Sequence, residues 1–437
     1  MSIPSLSGLQ IALSGLEADQ VGIDTAGHNI ANENTPGYSR QVVDLTANQA
    51  LILPSLSSST GNGVQLGEGV DITQINRVRN QFLDVQYRGQ NTQLGAATAN
   101  STALSQAQAA FAEPGTTGIS SQLATFYSDW SSLANAPTNT GARQTVVDDA
   151  TTLTQTFNSL SGQLGAIQTQ AGQQYASLTG AGGQVQVDAN QIASLNAAIS
   201  QQLAAGQQPN DLQDQRDSLL DELSSLGKVS VTDPGNGQLA VSFGDAAQPL
   251  VSGTTVTWPQ TLTTATGGQL GALLNLSSSS GPVGQLSTAL DGVASQLISS
   301  VNALHTSTPF FSGTNAATIA VAVTPAAVQT SSASAPGGND VALAIAGLSG
   351  GAADQAYSAL VAQVGTSVQT ANTQQSTAQA LVSAVGNQRE STSGVSLDQE
   401  MTNLMGFQNG YQASARAMSV MDAVLQTLIN NTGTAGL

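Results

Sequence analysis

The sequence predicts an α+β protein, mainly α, with paired N- and C-terminal helices, a long coiled-coil-like helical domain and an inserted β-rich outer domain. Three observations lead there. Apolar residues step by three and four at both ends of the chain, the same step runs on between Leu153 and Ile199, and strand-like alternation follows Lys228. A chain of 437 residues has room for about two to four domains.

The first seam is Leu6, Leu9, Leu13, Leu16, Gln20, Ile23, Gly27 and Ile30. Pro4 suits a first helical turn, and Asn34-Thr35-Pro36-Gly37 reads as a turn, so the helix stops before Pro36. The last helix mirrors it through Leu397, Met401, Leu404, Gln408, Tyr411, Ala415, Met418, Asp422, Leu425 and Ile429. A helix of ~35 residues spans ~50 Å. Its stripe represents more than ~10 kcal/mol of gross burial, so it requires a partner, and the equivalent stripe is the N-terminal one. Phe407, Met418, Met421, Leu425 and Leu428 add a second row, wider than one partner helix covers, which predicts contacts with additional subunits.

The longest seam runs Leu153, Phe157, Leu160, Leu164, Ile167, Ala171, Gln174, Leu178, Ala181, Val185, Asp188, Ile192, Leu195 and Ile199, with Gly180, Gly182 and Gly183 marking a break. Further helices are expected at 81–111, 211–226, 283–304 and 352–385. Val229 and Val231, the turn Asp233 to Gly237, then Leu239, Val241 and Phe243 form a hairpin. Val256 to Trp258 and the alternation of Ile319, Val321 and Val323 extend the β content, and Ser331 to Gly338 is a loop. The expected division is 1–80 plus 395–437 as a terminal helical inner domain, 81–228 plus 283–305 and 352–394 as a helical domain, and 229–282 plus 306–351 as a β-rich outer region.

Charged residues are 8 % of the chain, against about 25 % in ordinary domains. With 27 acidic and 9 basic residues and a net charge of -18, the chain is unsuited to nucleic-acid binding, which draws its affinity from clustered cations. Absence of cysteine excludes disulfides, thiolate zinc sites and cysteine nucleophiles. No apolar run approaches the ~18 residues of a membrane span, so no membrane insertion is expected. Met1-Ser-Ile-Pro-Ser has no basic n-region of a cleaved secretory signal. These signs alone describe a cytoplasmic protein. A charge-poor surface nevertheless suits burial against many neighbours, since desolvating ions is costly, and so keeps a self-assembling or exported protein in view.

Candidate chemistry is sparse. His28 and His305 are the two imidazoles, and Gly347-Leu-Ser349-Gly-Gly351 matches the G-x-S-x-G elbow of α/β-hydrolases. The parallel α/β context is missing, so the match reads as a loop, and a serine hydrolase using Ser349 stands as an alternative from a different class. A surface adhesin built on the β-rich middle is another. Asp211, Asp214, Asp217, Asp221 and Glu222 could attract a divalent cation, but calcium-loop signatures are absent, and a solvated acidic face partly offset by Arg216 is the favoured reading. Asp148-Asp149 is read likewise. Phosphate-binding loops are absent, and no cofactor or metal is expected. Met401, Met405, Met418 and Met421 with Phe407 and Tyr411 form a soft face best read as core packing.

His28-Asn-Ile-Ala-Asn32 followed by Asn34-Thr-Pro-Gly-Tyr-Ser-Arg-Gln41 resembles the N-terminal signature of bacterial flagellar rod, hook and hook-associated proteins. Ser39-Arg40-Gln41, the block Asp211 to Leu223, Gly267 to Leu274 and the terminal Val395 to Arg416 run are most similar to the hook-associated protein 1 family, the hook–filament junction proteins. Another axial subunit, a hook protein or the second junction protein, is the alternative; Arg40, the 213–223 block and Ala413-Ser-Ala-Arg416 argue against it.

The resemblance implies a non-enzymatic structural adaptor, exported unfolded through the flagellar type III apparatus and therefore secreted and extracellular. It implies a ring of copies contacting the hook protein on one side and the second junction protein on the other, with a cytoplasmic export chaperone on the C-terminal helix. The candidate assembly residues are Leu6, Leu9, Leu13, Leu16, Ile23, Ile30, Leu404, Phe407, Tyr411, Met418, Met421, Leu425 and Leu428. Asn29, Asn32, Pro36, Gly37, Tyr38 and Arg40 are expected to shape the loop that leaves the inner layer.

Overall fold

The computed structural model describes residues 4–53, 64–333 and 337–432. Helix α1 (Pro4–Ala31) starts on a proline whose fixed φ suits a first turn and ends in a turn closed by Gly37 at φ +80°. The chain then forms β1 (Gln41–Ala47), β2 (Leu51–Leu53), β3 (Val64–Leu66) and β4 (Val70–Arg77). β1 pairs antiparallel with β4 and β2 with β3. This ribbon lies back along α1, where the Val70 N–H donates to Ser14 Oγ at 3.3 Å. It is absent from the sequence expectation because a register shift between Asp44 and Leu45 interrupts the alternation that identifies a strand.

Helix α2 (Gln81–Phe111) is capped by the Asn80 side chain, which accepts from the Phe82 and Leu83 amides at 3.0 and 3.4 Å. Next come α3 (Ile119–Asn135), α4 (Thr140–Thr179), α5 (Gln184–Ala204) and α6 (Asn210–Leu226). The long seam divides between α4 and α5 at its glycines: Gly182 has φ +74°, and a Cβ on Gly183 would lie 2.5 Å from the Leu178 carbonyl oxygen.

The antiparallel sheet β5 (Val229–Thr232), β6 (Ala240–Phe243), β7 (Val251–Ser252) and β8 (Thr255–Val256) contains the expected hairpin, with Val229 opposite Phe243 and Val231 opposite Val241. Helices α7 (Gly268–Ser277) and α8 (Pro282–Leu304) lead to the short pair β9 (Phe311–Ser312) and β10 (Ala320–Val321). Part of the Ser331–Gly338 loop lies outside the described residues. The chain finishes with α9 (Asp340–Ala346), α10 (Ala352–Ser393) and α11 (Leu397–Thr432).

Two cores organise the body. The larger joins α2, α3, α4, α8, α9 and α10 around Phe126, Trp130, Leu153, Phe157, Phe310 and Phe311. The smaller seals the four-stranded sheet onto α5, α6 and α7 through Val185, Ile192, Leu220, Val241, Phe243 and Leu270. Phe310, Phe311 and Ile319 thus pack with the helical core rather than with the sheet. α2 and α10 run antiparallel, joined at Ser101 and Asn372 by a 2.5 Å hydrogen bond and at Phe111 and Tyr357 by ring stacking.

α1 and α11 pack along their lengths, as the two terminal stripes require. They are antiparallel, with Gly8 opposite Met421 and Gly22 opposite Phe407. No helix among the described residues is long and apolar enough to cross a membrane.

Candidate functional site: the joint between the terminal helices and the body

The segment from His28 to Gln41 converges on one buried polar joint. The Asn29 amide is saturated: Nδ2 donates to Gln41 O at 2.9 Å and Glu400 Oε2 at 3.1 Å, while Oδ1 accepts from Tyr38 Oη at 2.8 Å and the Gln41 amide at 2.9 Å. Asn29 therefore ties the end of α1, the following loop and the start of α11 together. Burial must be met by such complete pairing, because an unsatisfied amide costs about 1–3 kcal/mol. The Arg40 amide donates to Ser393 O at 2.8 Å, and its guanidinium lies 3.9 Å from Glu400.

The same loop docks on α6. Ser39 donates its amide and hydroxyl to Asp214 at 2.9 and 2.7 Å, Gln41 Nε2 donates to Asp211 at 2.8 Å, and His28 Nε2 lies 3.3 Å from Asp211. Asn32 Nδ2 donates to His28 O at 3.0 Å, and Pro36 and Gly37 form the exposed tip of the turn. Burial, followed by the carboxylates of Asp211, Asp214 and Glu400, pushes the Tyr38 phenol up, so it remains a hydrogen-bond donor.

The acidic stripe of α6 is an ionic hub, which corrects the expectation of a solvated face. Arg77 reaches Asp214 at 2.6 Å and Asp217 at 3.0 Å; Arg79 reaches Asp84 at 2.9 Å and Asp217 at 3.3 Å. Arg88 reaches Asp221 at 2.8 Å and Asp217 at 3.4 Å, and Arg389 reaches Asp221 at 2.7 Å and Asp84 at 3.2 Å. Burial alone would raise the Asp217 carboxyl, but Arg79, Arg77 and Arg88 hold it below its usual value. Burial would likewise lower Arg79, and Asp217 and Asp84 raise it instead. Arg216 does not offset this stripe; it turns to Asn196 Oδ1 at 2.9 Å and Gly237 O at 2.7 Å. Among the described residues no group of His, Cys, Asp or Glu side chains converges as a metal centre, and guanidinium groups take the place a cation would occupy.

The α1–α11 seam corrects the expected leucine row. Its centre line is Gly8, Ala12, Gly15, Ala18, Gly22, Ala26 and Asn29, with the three alanines buried. A Cβ on Gly8 would lie 2.7 Å from Met421 Cε, and one on Gly22 would lie 2.5 Å from Phe407 Cδ1. Knobs from α11 need holes, and only small residues let the backbones approach this closely. Leu9, Leu16, Ile23 and Ile30 flank that line half-buried, as do Leu404, Phe407, Tyr411, Met418, Met421 and Leu425 on α11. Leu13 is 44 % exposed, and Met401 and Met405 are 50 % and 54 % exposed rather than core. The side chains of Leu6 and Leu428 lie outside the described residues. The glycines were detectable as a seven-residue repeat, G-x6-G-x6-G-x6-N from Gly8 to Asn29, which a search for apolar residues passes over.

Ser349 carries no hydrolase geometry. It sits in the turn between α9 and α10, and its amide donates to Ala346 O at 3.2 Å. The His28 ring nitrogens face Asp211 and Asn32, and those of His305 engage Thr308 O and the Gln329 amide, so neither imidazole serves as its base.

Residues 104–264 match the family described as flagellar hook-associated protein FlgK helical domain. Residues 9–38 match the flagella basal body rod protein family, and 387–431 the flagellar basal body rod FlgEFG protein C-terminal family. Flagellar hook-associated protein 1 of Bacillus subtilis is 28 % identical over 98 % of this chain and 99 % of its own length. The chain is thus similar to hook-associated protein 1 over nearly its whole length. The relative from Salmonella typhimurium is 32 % identical over 56 % of this chain and 42 % of its own length. The solved structure of the flagellar hook junction protein FlgK from Burkholderia pseudomallei is 26 % identical, covering 51 % of this chain and 43 % of that one, with a TM-score of 0.44. The rod-family match contains the family signature His28 to Asn32 and Asn34 to Tyr38, the segment that builds the joint.

Proposed function

We infer that the protein is a structural, non-catalytic subunit of the bacterial flagellum at the junction between hook and filament. The observation that carries this reading is the terminal helix pair. α1 and α11 satisfy one face each and leave Ile11, Leu13, Met401, Met405, Val420 and Val424 exposed. Exposed apolar side chains on both helices favour further helical partners. In this reading Leu9, Leu16, Ile23, Ile30, Leu404, Phe407, Tyr411, Met418, Met421 and Leu425 pack both within the pair and against neighbouring copies in a ring, where the exposed Leu13 is also covered.

The hook protein and the second junction protein contact opposite rims of that ring, and the exposed Pro36-Gly37 turn faces a neighbour. Export through the type III apparatus, with a chaperone on α11, places the protein outside the cell. Residues 1–80 with 395–437 form the inner layer, the helices from 81 to 228 with 283–305 and 352–394 the next, and the remaining β-containing segments the outer surface.

The test is a strain whose sole copy lacks residues 397–437. It is expected to build hooks and to release unpolymerised filament subunit into the medium, with the truncated chain unable to bind the chaperone. Normal incorporation of the truncated chain and normal filaments would overturn the reading.

A further inference from the structure

The contacts between α1 and α11 form a ladder with a rung every seven residues. Gly8 faces Met421, Gly15 faces Ser414, Gly22 faces Phe407 and Asn29 faces Glu400. Seven residues are two turns of a supercoiled helix, so every rung has the same geometry. Three rungs are a glycine hole filled by a side chain from α11, and such rungs are interchangeable. Sliding α11 by one heptad, ~10 Å, would seat Ser414 on Gly8 and Phe407 on Gly15, each still over a glycine, and would move Gly410 from Asp19 to Ala12. Sliding it the other way would seat Met421 on Gly15 and Ser414 on Gly22. The glycine rungs hold the helices together without choosing between these registers.

The fourth rung differs in kind. Asn29 and Glu400 are 1 % and 3 % exposed, and Glu400 Oε2 accepts from Asn29 Nδ2 at 3.1 Å. One slip would carry the Glu400 carboxylate onto Gly22, away from Asn29 and from Arg40, leaving a buried charge without its donors. The opposite slip would drive the Phe407 ring onto the Asn29 amide, which would lose its α11 acceptor. Either displacement leaves a buried polar group unpaired. We propose that the Asn29–Glu400 pair is the register key of the terminal helices, selecting one of several heptad-related pairings that the glycine rungs accept equally well. A single buried asparagine fixes register in this way in coiled coils. The pair acts together with the short 394–396 link from α10, which limits how far α11 can move. This inference rests on the α1–α11 pairing and not on the junction assignment.

The chain contains no cysteine, so introduced pairs report register directly. A Cβ on Gly15 would lie 3.8 Å from Ser414 Cβ, close to the usual disulfide spacing. In the full-length protein, Gly15→Cys with Ser414→Cys reports the observed register, and Gly8→Cys with Ser414→Cys reports the slipped one. On oxidation the first pair is expected to form a disulfide and the second to stay at background. Adding Glu400→Ala should raise the second yield roughly tenfold or more at the expense of the first, and Glu400→Gln, which keeps an acceptor oxygen, should restore the original pattern. Asn29→Gly should open the opposite slip, read by Gly22→Cys with Ser414→Cys. A Glu400→Ala or Asn29→Gly chain that still forms only the 15–414 disulfide would overturn the proposal. Loss of every disulfide in both variants would overturn it too, since the pair would then be a source of association and not a selector of register. Filament assembly is not read in this experiment, so its outcome is separate from that of the strain lacking residues 397–437.

Discussion

Arg389 near the end of α10 donates to Asp221 of α6 at 2.7 Å, and Arg88 of α2 holds the other oxygen of the same carboxylate at 2.8 Å. Three segments distant in sequence meet at one side chain. Arg389 also lies 4.4 Å above the Tyr87 ring, so its guanidinium is fixed from a second direction. The helix that ends beside the terminal pair is thereby fastened to the body within a few residues of the joint.

Asp217 is the member of that hub shared by three guanidinium groups. Asp217→Asn removes the shared charge and leaves buried cations short of a partner, which should destabilise the body by about 3–5 kcal/mol. The check is the urea midpoint at unchanged slope. A midpoint matching the parent's would mean that the hub relaxes around the loss.

Two glycines of α1 should respond in opposite senses. Gly22→Ala places a methyl against the Phe407 ring and should destabilise the helix pair by about 1–3 kcal/mol. Gly27 has open space where a Cβ would go, so Gly27→Ala should stabilise the same helix by about 0.5–1 kcal/mol. Hydrogen exchange along α1 and α11 reads both changes, and equal signs would count against the knob-in-hole description.

His305 is a buried clip. Its Nδ1–H donates to Thr308 O and its Nε2 accepts the Gln329 amide at 2.7 Å, so both nitrogens are used by the neutral ring. Burial lowers its pKa below 6.5, against the weaker pull of the Thr308 carbonyl. The unfolded chain therefore takes up this proton first as pH falls, and the contribution of His305 is present above about pH 6.5 and lost in the acid range beneath it. Thermal melts of His305→Asn should show a flatter slope over that range than the parent. Identical slopes would remove His305 as the cause.

Asp129 on α3 behaves in the reverse sense. Burial, then the neighbouring Asp149 of α4, raises its carboxyl to about 7. The folded protein keeps a proton that the unfolded chain releases near 3.8, so this contribution is full in acid and is lost as pH rises through about 7. Asp129→Asn should accordingly melt higher than the parent at pH ~8 and show less loss between pH ~4 and ~7. A steeper loss in the variant would refute the proton-sharing account.

Much of this architecture was legible without coordinates. The period of the apolar residues located both terminal helices, the break at Gly180 to Gly183 and the span of α2, and strand alternation located the hairpin from Val229 to Phe243. Those features depend on local geometry, which a sequence records. Periodicity gives the repeat of a seam but not its phase. Only the packed pair decided that Gly8, Gly15 and Gly22, not the leucines beside them, face α11, because the choice turns on how closely two backbones approach. Likewise, a row of aspartates looks the same whether it faces water or arginine. The structure decided it by bringing Arg77, Arg79, Arg88 and Arg389 to α6, partners more than 100 residues away whose arrival depends on the tertiary fold.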